Sequence, residues 1–290
     1  MTIKHIVISG AAYNGIDLVG AITELSEKKY IERKNIESVF GSSAGAIVLA
    51  IWLLDVEKSV LYDFIIKRPW NKIYSFKAEM LFEFLNDKGL IDEKLIREII
   101  TPLLRSKDLS SDITLNEFFE FTKVKLTMYV TDFQKWRAIT VDKNTHPDLK
   151  LVDALYMTSA MPMIFKPVFL DDKIYVDGAV TKHFPIKSAL EDGCKKEETL
   201  GIKVYRPEEH AITKDATFFQ YVGAMMNNMV GAIAYLENVE IPHCVIVNVP
   251  RMGSEIEGVL TDPDKRKTML ERGEQSARDF LESRVQELSD

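Results

Sequence analysis

Apolar positions along the chain follow two alternating periods. Ile3 to Ser9 is a short, β-branched, mostly apolar run, as a central strand buried on both faces requires. After the loop Gly10 to Gly15, Leu18, Ile22 and Leu25 recur at helical spacing and predict a helix to about Tyr30. Ile36 to Phe40 predicts a second strand, and the eleven uncharged residues Ala44 to Leu54 predict a buried helix. Strand and helix therefore alternate over the first 55 residues, the signature of an α/β fold.

From Val56 to about Ser111 the pattern turns helical. Val60, Phe64 and Ile65 mark one segment, Met80 to Leu85 a second, and Leu95, Ile99 and Leu103 a third, together a helical excursion over the sheet. Strands resume at Lys123 to Thr131, where Val124, Leu126, Met128 and Val130 alternate, and at Arg137 to Asp142. A helix from about Asp148 to Thr158 stops before Pro162, and short strands at Phe165 to Leu170 and Lys173 to Val176 flank a tight turn at Asp171-Asp172. A strand at Leu200 to Tyr205, a helix from Phe218 to Leu236 and a strand at Cys244 to Val249 follow. A closing helix begins at Asp262-Pro263, with Leu270, Ala277 and Leu281 on one face. Phe218, Val222, Met225, Met229 and Ile233 have the spacing of plain core, the alternative being an acyl-chain pocket lined by flexible methionines. No linker or internal repeat divides the chain, which predicts one domain over residues 1–290.

Composition changes this picture little. The net charge of -7 argues against a nucleic-acid partner, whose phosphates call for a Lys and Arg surplus. Cys194 and Cys244 lie far apart without metal-ligand spacing, so no metal site or disulfide framework is expected. The first residues lack the regions of a signal peptide, and the longest apolar run falls short of the roughly 20 residues that cross a bilayer. A cytoplasmic protein, at most peripheral at membranes, is the expectation. Lys67 to Lys77 mixes four cations with three aromatics, which suits either a membrane interface or, the favoured reading, a connector whose aromatics fold inward.

Candidate chemistry centres on Gly41-Ser42-Ser43-Ala44-Gly45, a GxSxG pattern between a strand and a buried helix. Such a turn holds a serine hydroxyl exposed, with the flanking glycines Gly41 and Gly45 letting strand and helix approach. An ordinary strand-to-helix turn of small residues is the alternative. The loop Gly10-Ala11-Ala12-Tyr13-Asn14-Gly15 precedes a helix, whose unpaired N–H groups can stabilise an anion. It fails both nucleotide motifs: Gly15-Ile16-Asp17 stands where a P-loop needs Gly-Lys-Ser/Thr, and Ala12 where a Rossmann loop needs glycine. Ser43 needs a base. Of the five histidines only His183 lies near a motif, and a structural role suits it better. Asp177, at a strand end before Gly178, is a carboxylate alternative if burial raises its pKa.

The residues resemble the patatin-like phospholipases, lipid acyl hydrolases with a Ser/Asp dyad. The likeness rests on the Gly10 to Gly15 loop, the Gly41 to Gly45 elbow, Ser159-Ala160-Met161-Pro162-Met163-Ile164-Phe165-Lys166-Pro167-Val168, and Tyr175-Val176-Asp177-Gly178-Ala179 followed by Pro185. It implies a three-layer α/β/α fold with a mostly parallel central sheet and the helical excursion over the active site. It also implies Ser43 as nucleophile, Asp177 as general base, and amides of the Gly10 to Asn14 loop as oxyanion donors. Two departures stand out: Ala11 and Ala12 replace glycines, which calls for negative φ there, and Asn14 replaces a basic residue. Lowered activity, or a shift away from anionic headgroups, is the implied result.

The expected function is therefore cofactor-free, metal-free hydrolysis of a phospholipid or other acyl-ester lipid through an acyl-enzyme. A catalytically weakened lipid-binding or scaffolding protein and a non-lipid carboxylesterase are the alternatives. Headgroup, position, transfer to other alcohols and oligomeric state are open at this level.

Overall fold

The computed structural model describes residues 2–73, 84, 86–206, 213–236, 239–250 and 256–287. An eight-stranded mixed sheet organises them. Strands β1 (His5–Ile8), β2 (Ser38–Ser42), β3 (Lys125–Asp132), β7 (Thr199–Tyr205) and β8 (His243–Asn248) run parallel in the order β3-β2-β1-β7-β8. Strands β4 (Arg137–Val141) and β6 (Lys173–Asp177) are antiparallel to β3, and β5 (Val168–Leu170) pairs antiparallel with β6. The helices are α1 (Gly15–Glu27), α2 (Ala44–Leu53), α3 (Lys58–Lys67), α4 (Trp70–Ile73), α5 (Lys94–Arg105), α6 (Leu115–Thr122), α7 (Leu151–Ser159), α8 (Ile186–Glu191), α9 (Phe218–Leu236), α10 (Ile256–Thr261) and α11 (Pro263–Glu287).

The registers around β3 place the site. β2 pairs with β3 up to Ser42 opposite Tyr129, β6 pairs from Asp177 opposite Val130, and β4 spans Met128 to Asp132. Because β4 overlaps both neighbours, it occupies the opposite edge of β3. β2 and β6 therefore share one edge and approach each other end to end, bringing Ser43 and Asp177 together where β2 stops and β6 stops.

Side chains of successive β1 residues enter two cores of unequal size. Ile6 and Ile8 join the larger one with Leu18, Ile22, Leu49, Leu155 and Leu270, whereas Val7 joins Phe40, Tyr129, Phe184 and Ile186 beneath α8. The closing helix α11 lies against α1 at close range: a Cβ placed on Gly273 would stand 1.8 Å from the Asp17 carbonyl oxygen, so only glycine fits this crossing.

Three periodicities resolve differently from the sequence reading. β3 is buried on both faces, Thr127, Tyr129 and Thr131 included, because both of its faces are covered by packed side chains. α5 turns Ile96, Ile100, Leu103 and Leu104 inward while Leu95 and Ile99 are half-buried, a rotation of about one residue from the predicted face. On α9, Val222 is buried but Met225 and Met229 are exposed, which overturns the reading of this face as core; the Phe218 side chain lies outside the description. The predicted helix at Met80 to Leu85 lies, but for Phe84, outside the described residues.

The connector reading of Lys67 to Lys77 holds as far as Ile73. Trp70 is buried and donates its indole N–H to the Ile65 carbonyl at 2.9 Å. Arg68 stacks on Phe64 and Trp70 and pairs with Glu98. Tyr74, Phe76 and Lys77 lie outside the described residues.

Candidate active site

Strand β2 delivers Ser43 into a turn that its own backbone strains. Ser43 has φ 54° and ψ -133°, a region that L-residues avoid and that costs about 1–3 kcal/mol. α2 starts at the next residue, Ala44. A Cβ on Gly45 would stand 2.4 Å from the Ser9 carbonyl oxygen, and one on Gly41 2.7 Å from the Ala46 nitrogen, so both elbow glycines are sterically required.

Buried groups fix both members of the Ser43 and Asp177 pair. Ser43 Oγ donates to Asp177 Oδ2 at 2.6 Å, and the Ala179 N–H donates to Oδ1 at 2.7 Å. The Ser43 N–H donates to Thr158 Oγ1 at 3.0 Å, and Thr158 in turn donates to the Tyr129 carbonyl at 2.5 Å. The Asp177 N–H donates to the Ala160 carbonyl at 2.9 Å, while its own carbonyl accepts from Thr131 Oγ1 at 2.8 Å. The end of α7 and the residues after it thus hold serine and aspartate at once, a role for Thr158 that no motif signals in the sequence. Asp177 is 1% exposed, and burial pushes its pKa up to about 7 against the hydrogen bonds from Ser43 and Ala179.

His183 contributes no bond to the pair. Its ring is buried against Gly10, and burial, with Arg206 and Lys203 nearby, drives its pKa down to about 3. A histidine so weakly basic stays uncharged at neutral pH.

The Gly10 to Gly15 loop lies between the elbow and the 177–183 turn, and its amides are unequal. The Gly10 N–H donates to the His183 carbonyl at 2.9 Å, the Asn14 N–H to the Ala11 carbonyl at 3.1 Å, and the Gly15 N–H to the carbonyls of Ala12 and Tyr13. The amides of Gly10 and Asn14, expected as oxyanion donors, and that of Gly15 are thus already engaged within the protein. Among the described residues the amides of Ala11 and Ala12 donate to nothing. Ala11 has the negative φ expected of it, -149°, whereas Ala12 takes φ 51°, contrary to expectation. The half-buried Tyr13 completes the loop.

Asn14 is fully buried within a polar chain. Its Nδ2 donates to Asp17 Oδ2 at 3.1 Å and its Oδ1 accepts from Arg206 Nη2 at 3.1 Å. The same Arg206 nitrogen donates to the Ala11 carbonyl at 2.9 Å, and Arg272 Nε donates to Asp17 Oδ1 at 2.6 Å.

Fold and site together set a serine at a strained strand-to-helix turn against a buried carboxylate. The chain belongs to the patatin-like phospholipase family, whose model matches residues 6–190. It is 28% identical over 195 residues to the probable lipid hydrolase 463L of Invertebrate iridescent virus 6, a match covering 67% of this chain and 65% of that one. It is 25% identical over 208 residues to the uncharacterized protein R571 of Acanthamoeba polyphaga mimivirus, covering 69% of this chain and 65% of the relative. The chain therefore spans just under two thirds of the length of these relatives. The crystal structure of VipD from Legionella pneumophila shares the fold, with a TM-score of 0.54 at 16% identity over 98% of this chain and 67% of VipD.

Proposed function

We propose that the protein hydrolyses acyl esters of lipids through Ser43 and Asp177. The carrying observation is the 2.6 Å hydrogen bond from a strained serine to a buried aspartate whose pKa stands near 7. At that pKa the carboxylate is basic enough to accept the hydroxyl proton and acidic enough to return it. Asp177 takes the proton as Ser43 Oγ attacks the ester carbonyl, and the Ala11 and Ala12 amides face the developing oxyanion. Collapse expels the alcohol, which leaves with the proton held by Asp177. Water then gives a proton to Asp177, attacks the acyl-enzyme and releases the fatty acid as the proton returns to Ser43. No step calls on a metal or organic cofactor.

Lipid as substrate class, with a membrane surface as the place of work, is supported by one edge of the molecule. The β3–β4 turn carries Phe133 and Trp136, and the β5–β6 hairpin carries Phe169 and Leu170, all exposed. The Phe133 N–H donates to the Ile174 carbonyl at 2.9 Å, so the two tips are adjacent. Both project beyond the carboxyl end of β3, the end at which Ser43 lies. Exposed Lys135, Arg137 and Lys173 flank them, with exposed Asp171 and Asp172 at the tip of the hairpin. α9, which has no charged residue between Phe218 and Leu236, touches the Gly178–Val180 turn and exposes Tyr221, Met225 and Met229. Aromatic rings among cations suit the headgroup region of a bilayer.

The test is direct. Parent protein is expected to hydrolyse a short-chain acyl ester and to be labelled at Ser43 by a fluorophosphonate, whereas Ser43→Ala and Asp177→Asn lose turnover by about 10³-fold or more. Equal rates in parent and variants would refute the dyad. Phospholipid hydrolysis then separates a lipid hydrolase from a general carboxylesterase.

A further inference from the structure

The family's usual cation is missing at position 14, yet a guanidinium stands beside the loop. Arg206, the residue after β7, lies beyond the 6–190 match and so arrives from a part of the chain that no motif covers. Its Nη2 makes both contacts, to Asn14 Oδ1 at 3.1 Å and to the Ala11 carbonyl at 2.9 Å. We propose that Arg206 replaces the missing basic residue, as a positioning residue that clamps the oxyanion loop and polarises the Ala11–Ala12 peptide. This proposal rests on the hydrolase reading given above.

The chemistry follows from the peptide group itself. A cation on the Ala11 carbonyl oxygen draws electron density through the amide and strengthens the Ala12 N–H as a donor, since hydrogen bonds in series polarise one another. That N–H has no acceptor among the described residues. Arg206 thus acts on the oxyanion through one peptide unit without touching it. The clamp also explains how a non-glycine residue stays at φ 51°, because the carbonyl before Ala12 is held by charge.

The clamp is anchored at its far end. Asn14 bridges Arg206 to Asp17, and Asp17 is fully buried and paired with Arg272 of α11 at 2.6 Å. Burial raises the pKa of Asp17, and the bonds from Arg272 and Asn14 oppose that rise. An arginine added at position 14 would have to displace this buried bridge, so the cation comes from elsewhere.

The experiment compares Arg206→Met with Arg206→Lys in the full chain. Arg206→Met is expected to lower kcat on a short-chain ester, and the rate of fluorophosphonate labelling, by about 10- to 100-fold with KM unchanged. Arg206→Lys retains most of the rate, since one nitrogen makes both native bonds and a lysine nitrogen can do the same. A kcat for Arg206→Met within twofold of parent overturns the proposal, and so does a loss in Arg206→Lys as large as in Arg206→Met. Amide hydrogen exchange over residues 10–15 supplies a readout that does not depend on activity. Faster exchange there in Arg206→Met supports the clamp, and unchanged exchange overturns it. If parent protein neither turns over ester nor is labelled at Ser43, the hydrolase reading fails, and the exchange result still decides whether Arg206 holds the loop.

Discussion

Asp177 couples activity to acidity in two opposed ways. On the proposed mechanism Asp177 acts as base in its ionised form, which predominates above its pKa near 7, so kcat/KM should rise with pH and reach half its plateau near pH 7. Stability moves the other way. Between about pH 4 and pH 7 the folded state holds a proton that the unfolded state has released, so this group's contribution falls as pH rises through that window. Asp177→Asn removes the dependence and should be more stable than the parent at pH 8 than at pH 4, by at most on the order of 4 kcal/mol. Urea unfolding at the two pH values measures the difference. Thr158→Val leaves the buried Ser43 N–H without its acceptor and is expected to cost about 1–3 kcal/mol together with a lower kcat. Ala12→Gly relieves a positive φ and should gain about 1 kcal/mol in thermal unfolding, with glycine's larger unfolded-state entropy taking back part of the strain released.

Elements differ in how plainly the chain announces them. The parallel strands β1, β2, β7 and β8 were legible as short apolar runs, and the elbow and Asp177 as local motifs, because each depends on neighbours in sequence. What stayed hidden depends on partners far along the chain. Thr127 and Thr131 read as the polar face of a half-buried strand, yet both are buried, and Thr131 bonds the Asp177 carbonyl. Met225 and Met229 carry the spacing of core, but nothing along that spacing reveals that both stay exposed. Thr158 and Arg206 gain their roles only when α7 and β7 reach the β2 elbow and its neighbouring loop. The tight turn at Asp171-Asp172 was legible from composition, and both residues do take positive φ, 50° and 58°, as a hairpin with a two-residue turn of this kind demands.

At the scale of the molecule, the exposed aromatics and the Ser43–Asp177 pair lie towards one edge, so the proposed membrane binding and hydrolysis can be separated experimentally. Trp136→Asp and Phe169→Asp should each weaken sedimentation with phosphatidylcholine vesicles by about tenfold while hydrolysis of a soluble short-chain ester stays at the parental rate. Loss of both together would instead indicate damage to the sheet. The last third of the chain, beyond residue 190, also belongs to this scale, since Arg206 ties the end of β7 to the loop beside the elbow and Arg272 ties α11 to Asp17 in the first turn of α1.

The end-to-end meeting of β2 and β6 has a kinetic meaning. Ser43 and Asp177 are 134 residues apart, and the hydrogen bond between them exists only once β3 has docked and β6 has closed onto the same edge. Contacts of such long sequence separation form late. In a refolding experiment helical signal should therefore return before turnover, so that the first molecule of product serves as a clock for the closing of the sheet.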